Sequence, residues 1–317
     1  MKRRLRFFIL IIIAAMVGIW SFTLSNSQQQ DAIVIDLNEK VNISQIQPNS
    51  NDTDSETSDN SLRIAISGVL SPSKTLEYYQ ELLTYIGHRI DRDVILILKP
   101  TYAEINDLVE SQRVDLAFVC TLAYVEGKEK FGMEILVAPQ MYGETVYYSY
   151  LIVPGESDAT SLSDLRGASF AFTDPMSNTG HLAPTYHLSL LGETPASFFG
   201  SYMYTYNHDN SVFAVADNLV NGAAVDSLVY DQLIDANPDL ADKTKIIDRW
   251  GPYGIPPVVI NPAMDSQLKQ ELQDLFLNLH SFNEGVAVLN NLGIDKFVVV
   301  PDDIYDSIRE MKRQQEE

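Results

Sequence analysis

Seven residues, Asp174-Pro175-Met176-Ser177-Asn178-Thr179-Gly180, lie between the apolar run Ala168 to Phe172 and a helical pattern from His181 to Leu190. The order predicts a strand, a tight polar turn and a helix start. Such a turn aims free backbone N–H groups, two hydroxyls and the positive end of a helix dipole at one point, which suits an oxyanion. The same residues also suit an ordinary connection in which Ser177 and Thr179 only cap the helix, and taken alone the turn favours that simpler role. Ser177, His208 and Asp226 can also be written as the nucleophile, base and orienter of a hydrolase, but no G-x-S-x-G elbow surrounds Ser177. His88, His181, His187 and His280 show no metal-ligand spacing with a carboxylate or with the lone Cys120, so neither a metal nor a cofactor is expected.

The elements around these residues alternate. Leu62 to Ser67, Val94 to Leu98 and Asp115 to Val119 read as strands. Between them lie a helix opened by Ser71-Pro72 and stopped near Gly87, and a helix from a Thr101 to Glu104 capping box to about Glu110; another helix starts at Leu122. Tyr147 to Val153 is a further strand. A second series follows, with strands at 168–172, 202–206 and 223–225 and helices at 161–166, 181–190, 211–218 and 228–236. Val258 to Ile260 emerges as a strand from the Gly- and Pro-rich run Gly251 to Pro257. This is an α/β chain with two mixed, mostly parallel sheets flanked by helices, and ligands of such sheets sit beyond the C-terminal strand ends. Two crossings, near Tyr147 and near Pro256, divide it into lobe 1 (62–146 plus 257–317) and lobe 2 (147–256).

The N-terminus has another character. Lys2, Arg3, Arg4 and Arg6 precede an apolar run from Phe7 to Leu24, long for a signal peptide and just long enough to span a bilayer. No cysteine follows it for lipid attachment, and Ile19, Trp20 and Phe22 crowd the place of a small-residue cleavage site. Residues 1–24 are therefore expected to be an uncleaved anchor in preference to a cleaved signal peptide, with the bulk of the chain outside the cytoplasmic membrane. Residues 25–61, rich in Gln, Asn, Ser, Asp and Thr, read as a disordered tether.

Charge narrows the partners. Of 22 basic residues four fall within the first thirty, leaving 18 against 43 acidic residues in the remainder. Phosphate-backbone binding needs a basic face, so nucleic acid is not an expected partner. A small anion is compatible, because donors in a closed cleft act at short range while the net field is screened within roughly 8 to 10 Å.

The two lobes echo each other. Val114-Asp115-Leu116-Ala117-Phe118-Val119-Cys120-Thr121 aligns without gaps on Val220-Asn221-Gly222-Ala223-Ala224-Val225-Asp226-Ser227, each a strand ending in a hydroxyl residue that starts a helix. Thr121 and Ser227 are expected to approach a shared cleft from opposite sides.

Asp174 to Gly180, then Asn207-His208-Asp209-Asn210-Ser211 leading into Ala214 to Ala216, then Ala224-Val225-Asp226-Ser227, resemble the phosphonate-binding family of periplasmic solute-binding proteins from ABC importers. Val114 to Phe118 and Thr101-Tyr102 fit the same family, and the resemblance runs from about Leu62 to Met311. It implies a two-lobed, type II periplasmic-binding-protein fold that closes on phosphate, phosphite or a small phosphonate and delivers it to a membrane permease, as a monomer and without catalysis. By the resemblance the oxyanion grip falls on Ser177, Asn178, Thr179 and Gly180, with His208 donating to a phosphoryl oxygen, charge-assisted if protonated. Asp226 would accept the proton of a P–OH group, and Thr121, Tyr102 and Ser71 would contribute from lobe 1. Aminoalkyl-phosphonate binders carry an acid in the return crossing and an aromatic near the end of the lobe 1 strand. Here Tyr253 to Pro257 has no acid and the second position is Val119, which ranks phosphate or phosphite first. A ligand-sensing adaptor for a signalling partner is the alternative role.

Overall fold

The computed structural model describes residues 33–36 and 61–316. The expected anchor at 1–24 lies outside them, as does the expected tether apart from Ile33–Asp36 and Ser61, which begins a strand.

Twelve strands form two sheets among these residues. In chain order they are β1 (Ile33–Asp36), β2 (Ser61–Ile66), β3 (Asp93–Leu98), β4 (Leu116–Phe118), β5 (Glu134–Gln140), β6 (Val146–Pro154), β7 (Ser169–Phe172), β8 (Ser201–Tyr204), β9 (Gly222–Asp226), β10 (Thr244–Gly254), β11 (Val258–Ile260) and β12 (Lys296–Val298). The first sheet runs β1-β3-β2-β4-β11-β5-β12 and the second β10-β6-β9-β7-β8. The chain passes from the first to the second between β5 and β6 and returns between β10 and β11, the two crossings that the sequence anticipates.

Both sheets are mixed, but they are not mostly parallel. Parallel pairing is confined to β3-β2-β4 and to β9-β7-β8, where helices make the crossovers. The remaining pairs are antiparallel: four of them arise because β6 and β11 enter their sheets from the other lobe and run against the strands beside them, and the other two, β1 on β3 and β12 on β5, lie at the ends of the first sheet. Helical crossovers enforce parallel pairing, and a direct crossing does not. The tether is also corrected at one point: Ile33–Asp36 pairs antiparallel with the edge of β3, and Ile35 is buried in the core beneath it.

Three apolar clusters hold these layers. One lies under the outer face of the first sheet, around Leu62, Ile64, Leu83, Leu96, Phe276 and Phe297. A second covers the outer face of the second sheet, around Ile152, Val215, Val225 and Tyr230. The third joins the two sheets, uniting Ile97, Tyr102 and Ala123 with Tyr147, Phe170, Phe172 and Ala183. The facing surfaces are thus packed together, and polar groups between them are withdrawn from water. No helix among the described residues is long and apolar enough to cross a membrane.

Candidate functional site

The turn after β7 is shaped by its own side chains. Asp174 accepts from Met176 N–H at 2.7 Å and from Tyr102 N–H at 3.2 Å, tying the turn of the second sheet to the helix Tyr102–Glu110 of the first. That helix carries the expected capping box, with Thr101 Oγ1 accepting from Glu104 N–H. Ser177 caps a single π turn, Asn178–Leu182, by accepting from Gly180 N–H at 3.0 Å, and the α-helix starts only at Ala183. Gly180 is required by contact. A Cβ there would sit 2.3 Å from Thr173 Oγ1 and 3.1 Å from His208 Cε1.

The next ring of groups comes from both sheets. Asn178 N–H points at Cys120 Sγ at 3.5 Å, its side-chain amide meets Tyr147 OH at 3.1 Å, and Tyr147 OH lies 2.7 Å from Thr121 Oγ1. Tyr102, Thr121, Tyr147, Ser177, Asn178 and Thr179 are all fully buried. Three of their polar atoms, Tyr102 OH, Asn178 Oδ1 and Thr179 Oγ1, have no hydrogen-bond partner. Burying a polar group without a partner costs about 1–3 kcal/mol, so three together mark a place built for something else. The amide of Asn178 is isosteric with its flipped form, and the network accepts the flip. Thr121 then donates to Tyr147, Tyr147 donates to Asn178 Oδ1, and Nδ2 becomes the amide atom left without a partner, like the two hydroxyls. Tyr102 OH, Thr179 Oγ1 and Asn178 Nδ2 are then three buried donors without an internal partner, the kind of neutral donor an oxyanion uses.

His208 sits behind this ring. Its Nδ1 receives Asp226 N–H at 3.0 Å and faces Thr173 Oγ1 at 3.2 Å. Nδ1 is therefore the acceptor, and the ring proton is on Nε2, 3.4 Å from Ser177 Oγ. Burial pushes His208 down to about 3, which favours the neutral ring, so any donation to an anion would come without the charge assistance that the sequence reading made conditional on protonation. With Ser177 Oγ accepting from both Gly180 and His208, its own proton is free for a further partner. This is the reverse of a catalytic triad. A general base needs a bare Nε2 and a carboxylate on Nδ1–H, but here Asp226 offers His208 its backbone, and its carboxylate Oδ1 caps the helix Ser227–Ala236 through Leu228 and Val229 N–H. Burial raises the Asp226 carboxyl to about 7.

Not every expected group faces the ring. Both Ser71 donors, N–H at 3.0 Å and O–H at 2.5 Å, are taken by the buried Asp209, so Ser71 is not a free ligand donor. With Asn207 Nδ2 on the carbonyls of Gly68 and Leu70, and His208 N–H on Val69 O, this contact fastens loop 68–71 of the first sheet to the helix His208–Ala216 of the second. Ser227 Oγ accepts from Tyr148 N–H, next to the Tyr147 that Thr121 contacts, so the two echoed hydroxyls meet neighbouring β6 residues. The sequence reading missed Tyr147, Cys120, Thr173 and Asp209 as site components. Only the position of Tyr147 at a crossing hinted at its part.

Comparison with known proteins identifies the family. The profile of the family described as ABC transporter, phosphonate, periplasmic substrate-binding protein matches residues 64–305. The chain belongs to this family. Among curated members it is similar to the phosphate-import protein PhnD of Mycolicibacterium smegmatis, 25% identical over 221 residues covering 65% of this chain and 68% of that one. Two solved folds match well. A binding-protein component of an ABC phosphonate transporter from Pseudomonas aeruginosa superposes with a TM-score of 0.77 at 23% identity, over 81% of this chain and 87% of the other. PhnD1 from Prochlorococcus marinus, solved in complex with methylphosphonate, gives 0.73 at 17% identity, over 81% and 98%. As a phosphonate-family binding protein, the chain has the two-lobed type II fold.

Proposed function

We propose that the protein captures a phosphorus oxyanion between its lobes, on Tyr102, Ser177, Asn178 and Thr179, and delivers it to the permease of an ABC importer. The observation that carries this reading is the set of partnerless polar atoms on Tyr102, Asn178 and Thr179, buried and drawn from both lobes. Thr121 and Tyr147 orient the Asn178 amide, Gly180 lets the turn pass under His208, and His208 holds the Ser177 hydroxyl. Asp226 faces the anion as a neutral carboxyl or accepts a P–OH proton, since a bare carboxylate beside an anion would repel it. Lobe 1 is assigned to 62–146 plus 257–317 and lobe 2 to 147–256, with 1–24 as the membrane anchor that keeps the binding lobes at the outer face.

Closure follows from the same contacts. With the lobes apart, the donors of each lobe are solvated separately; a bridging anion favours the arrangement in which they converge. A ligand that binds only the folded state adds about 2.7 kcal/mol of stability at a hundredfold excess over its dissociation constant. Thermal unfolding of the full chain with phosphate, phosphite, methylphosphonate, aminoethylphosphonate, sulfate and taurine tests the reading. A rise in melting temperature with at least one phosphorus oxyanion is expected, and none with taurine. Absence of a shift with every phosphorus compound would refute it.

A further inference from the structure

Just past the π turn Asn178–Leu182 stands Pro184, and it breaks the ladder of backbone bonds that the turn begins. Within the turn Leu182 N–H bonds to Ser177 O and Ala183 N–H to Asn178 O, each reaching five residues back. In that register the next carbonyl, that of Thr179, calls for the N–H of residue 184, which proline lacks. Its donor comes from the neighbouring sheet. Ser149 Oγ, fully buried on β6, donates to Thr179 O at 2.7 Å. Gly180 O, whose α-helical partner would also be residue 184, accepts from Thr173 N–H at 3.1 Å. Tyr147 lies two positions before Ser149, on the same face of β6, and its hydroxyl meets the Asn178 amide at 3.1 Å. One strand thus holds two consecutive residues of the turn, Asn178 by its side chain and Thr179 by its backbone.

We propose that Ser149 is a positioning residue for the ligand, made necessary by Pro184: it fixes the π register of the turn and with it the aim of the Asn178 amide and the Thr179 hydroxyl. This inference rests on the oxyanion reading above. The competing arrangement is an α register, in which Ala183 N–H moves from Asn178 O to Thr179 O. That slip turns Asn178 and Thr179 by about 100°, one residue's step around a helix, and carries their side chains off the site. With the Ser149 hydroxyl in place, Thr179 O is satisfied and Ala183 N–H stays on Asn178 O. Without it, Thr179 O is a buried acceptor lacking a donor, and the slip to the α register supplies one. π turns are rare and frequent at functional sites. Here the residue whose carbonyl Ser149 takes is one whose hydroxyl has no partner.

Titration calorimetry on the full chain with phosphate, phosphite and methylphosphonate, beside denaturant unfolding without ligand, decides it. Ser149→Ala is expected to weaken the tightest of the three about tenfold, the equivalent of one buried hydrogen bond. A merely structural serine would lower stability and leave the affinity of the folded protein unchanged; that result overturns the inference and leaves the oxyanion reading standing. Pro184→Ala returns an N–H to residue 184, where it can serve Thr179 O in the π register. In that background Ser149→Ala is expected to cost less than about threefold, and an equal loss in both backgrounds overturns the inference. Should Ser149→Ala fail to fold, Ser149→Cys, nearly isosteric and a weak donor, is measured by the same criteria. Failure of the parent chain to bind any of the three compounds would overturn both readings.

Discussion

Tyr102→Phe and Thr179→Val each remove a buried hydroxyl that has no partner in the unliganded protein, and each keeps nearly the same shape. An ordinary binding residue, when deleted, weakens the ligand and leaves the free protein alone. These two have opposite effects on the two states. In the closed, unliganded arrangement a partnerless hydroxyl costs about 1–3 kcal/mol, so its removal is expected to raise stability by up to that amount. The gain shrinks toward zero to the extent that the free protein opens and lets water reach the group. In the complex the same hydroxyl donates to an anion, a bond worth roughly 1.5–3 kcal/mol, so either variant is expected to bind about 10- to 150-fold more weakly. Denaturant unfolding gives the first quantity and titration calorimetry with the best phosphorus ligand the second. The reasoning fails if a variant binds that ligand as tightly as the parent, or if it is less stable than the parent without ligand. The second result would mean that the hydroxyl already has a partner and marks no site.

Other perturbations reach other parts of the assembly. Gly180→Ala forces a Cβ to within 2.3 Å of Thr173 Oγ1, so a loss of about 1–3 kcal/mol in chemical unfolding is expected, together with weakened ligand binding. Asp209→Ala leaves the Ser71 N–H and O–H without their acceptor and loosens the fastening between lobes; about tenfold weaker binding and a larger radius of gyration with ligand present are expected by calorimetry and small-angle scattering. Asp226→Asn keeps the helix cap, since Asn caps as well as Asp, but removes a carboxyl whose value burial raises from 3.8 to about 7. The folded parent binds that proton more tightly than the unfolded chain, so it loses stability as pH rises from about 4 to about 7. The stability of the variant relative to the parent is therefore expected to climb across that window, by an amount on the order of 2–4 kcal/mol, as read by denaturant midpoints at pH 4 and pH 8. His208, lowered to about 3, contributes a slope of opposite sign between about 3 and 6.5 in both proteins and cancels in the difference.

Local signals served the fold well where an element is its own best evidence. The Thr101 capping box, the strand–turn–helix at 169–190 and both crossings follow from patterns a few residues long. Elements defined by their partners were harder to read. β10 alternates poorly, with Lys245, Asp248, Arg249 and the Gly251-Pro252 pair along it, and it is a strand because β6 lies beside it through two register shifts. Ile33 to Asp36 is a short apolar island in a polar tract until the edge of β3 supplies hydrogen bonds. The site divides the same way. Ser177, Asn178, Thr179 and Gly180 sit together in sequence and could be read as a unit. Tyr147 and Cys120 join them only through folding, and Ser71 was lost to Asp209, a residue 138 positions away.

For an acidic chain to grip an anion as proposed, without a lysine or arginine in the ring, its own carboxylates must be kept from opposing the ligand. Three buried ones stand around the cleft, Asp174, Asp209 and Asp226. Each is turned onto the backbone: Asp174 onto Met176 and Tyr102, Asp209 onto Ser71, Asp226 onto Leu228 and Val229. Those N–H groups lie at the ends of the loops and helices that carry the donors, so the carboxylates set the positions of Tyr102, of the 177–180 turn and of the 68–71 loop. Hydrogen bonding to N–H groups also draws their charge away from the place where the anion sits. Burial then raises Asp174 to about 6 and Asp226 to about 7, favouring the neutral form near the ligand. In the proposed site negative residues would thereby be the scaffold, and the attraction would come entirely from neutral donors. Such donors are short-ranged and directional, so the site selects its anion by the placement of oxygens and protons more than by total charge.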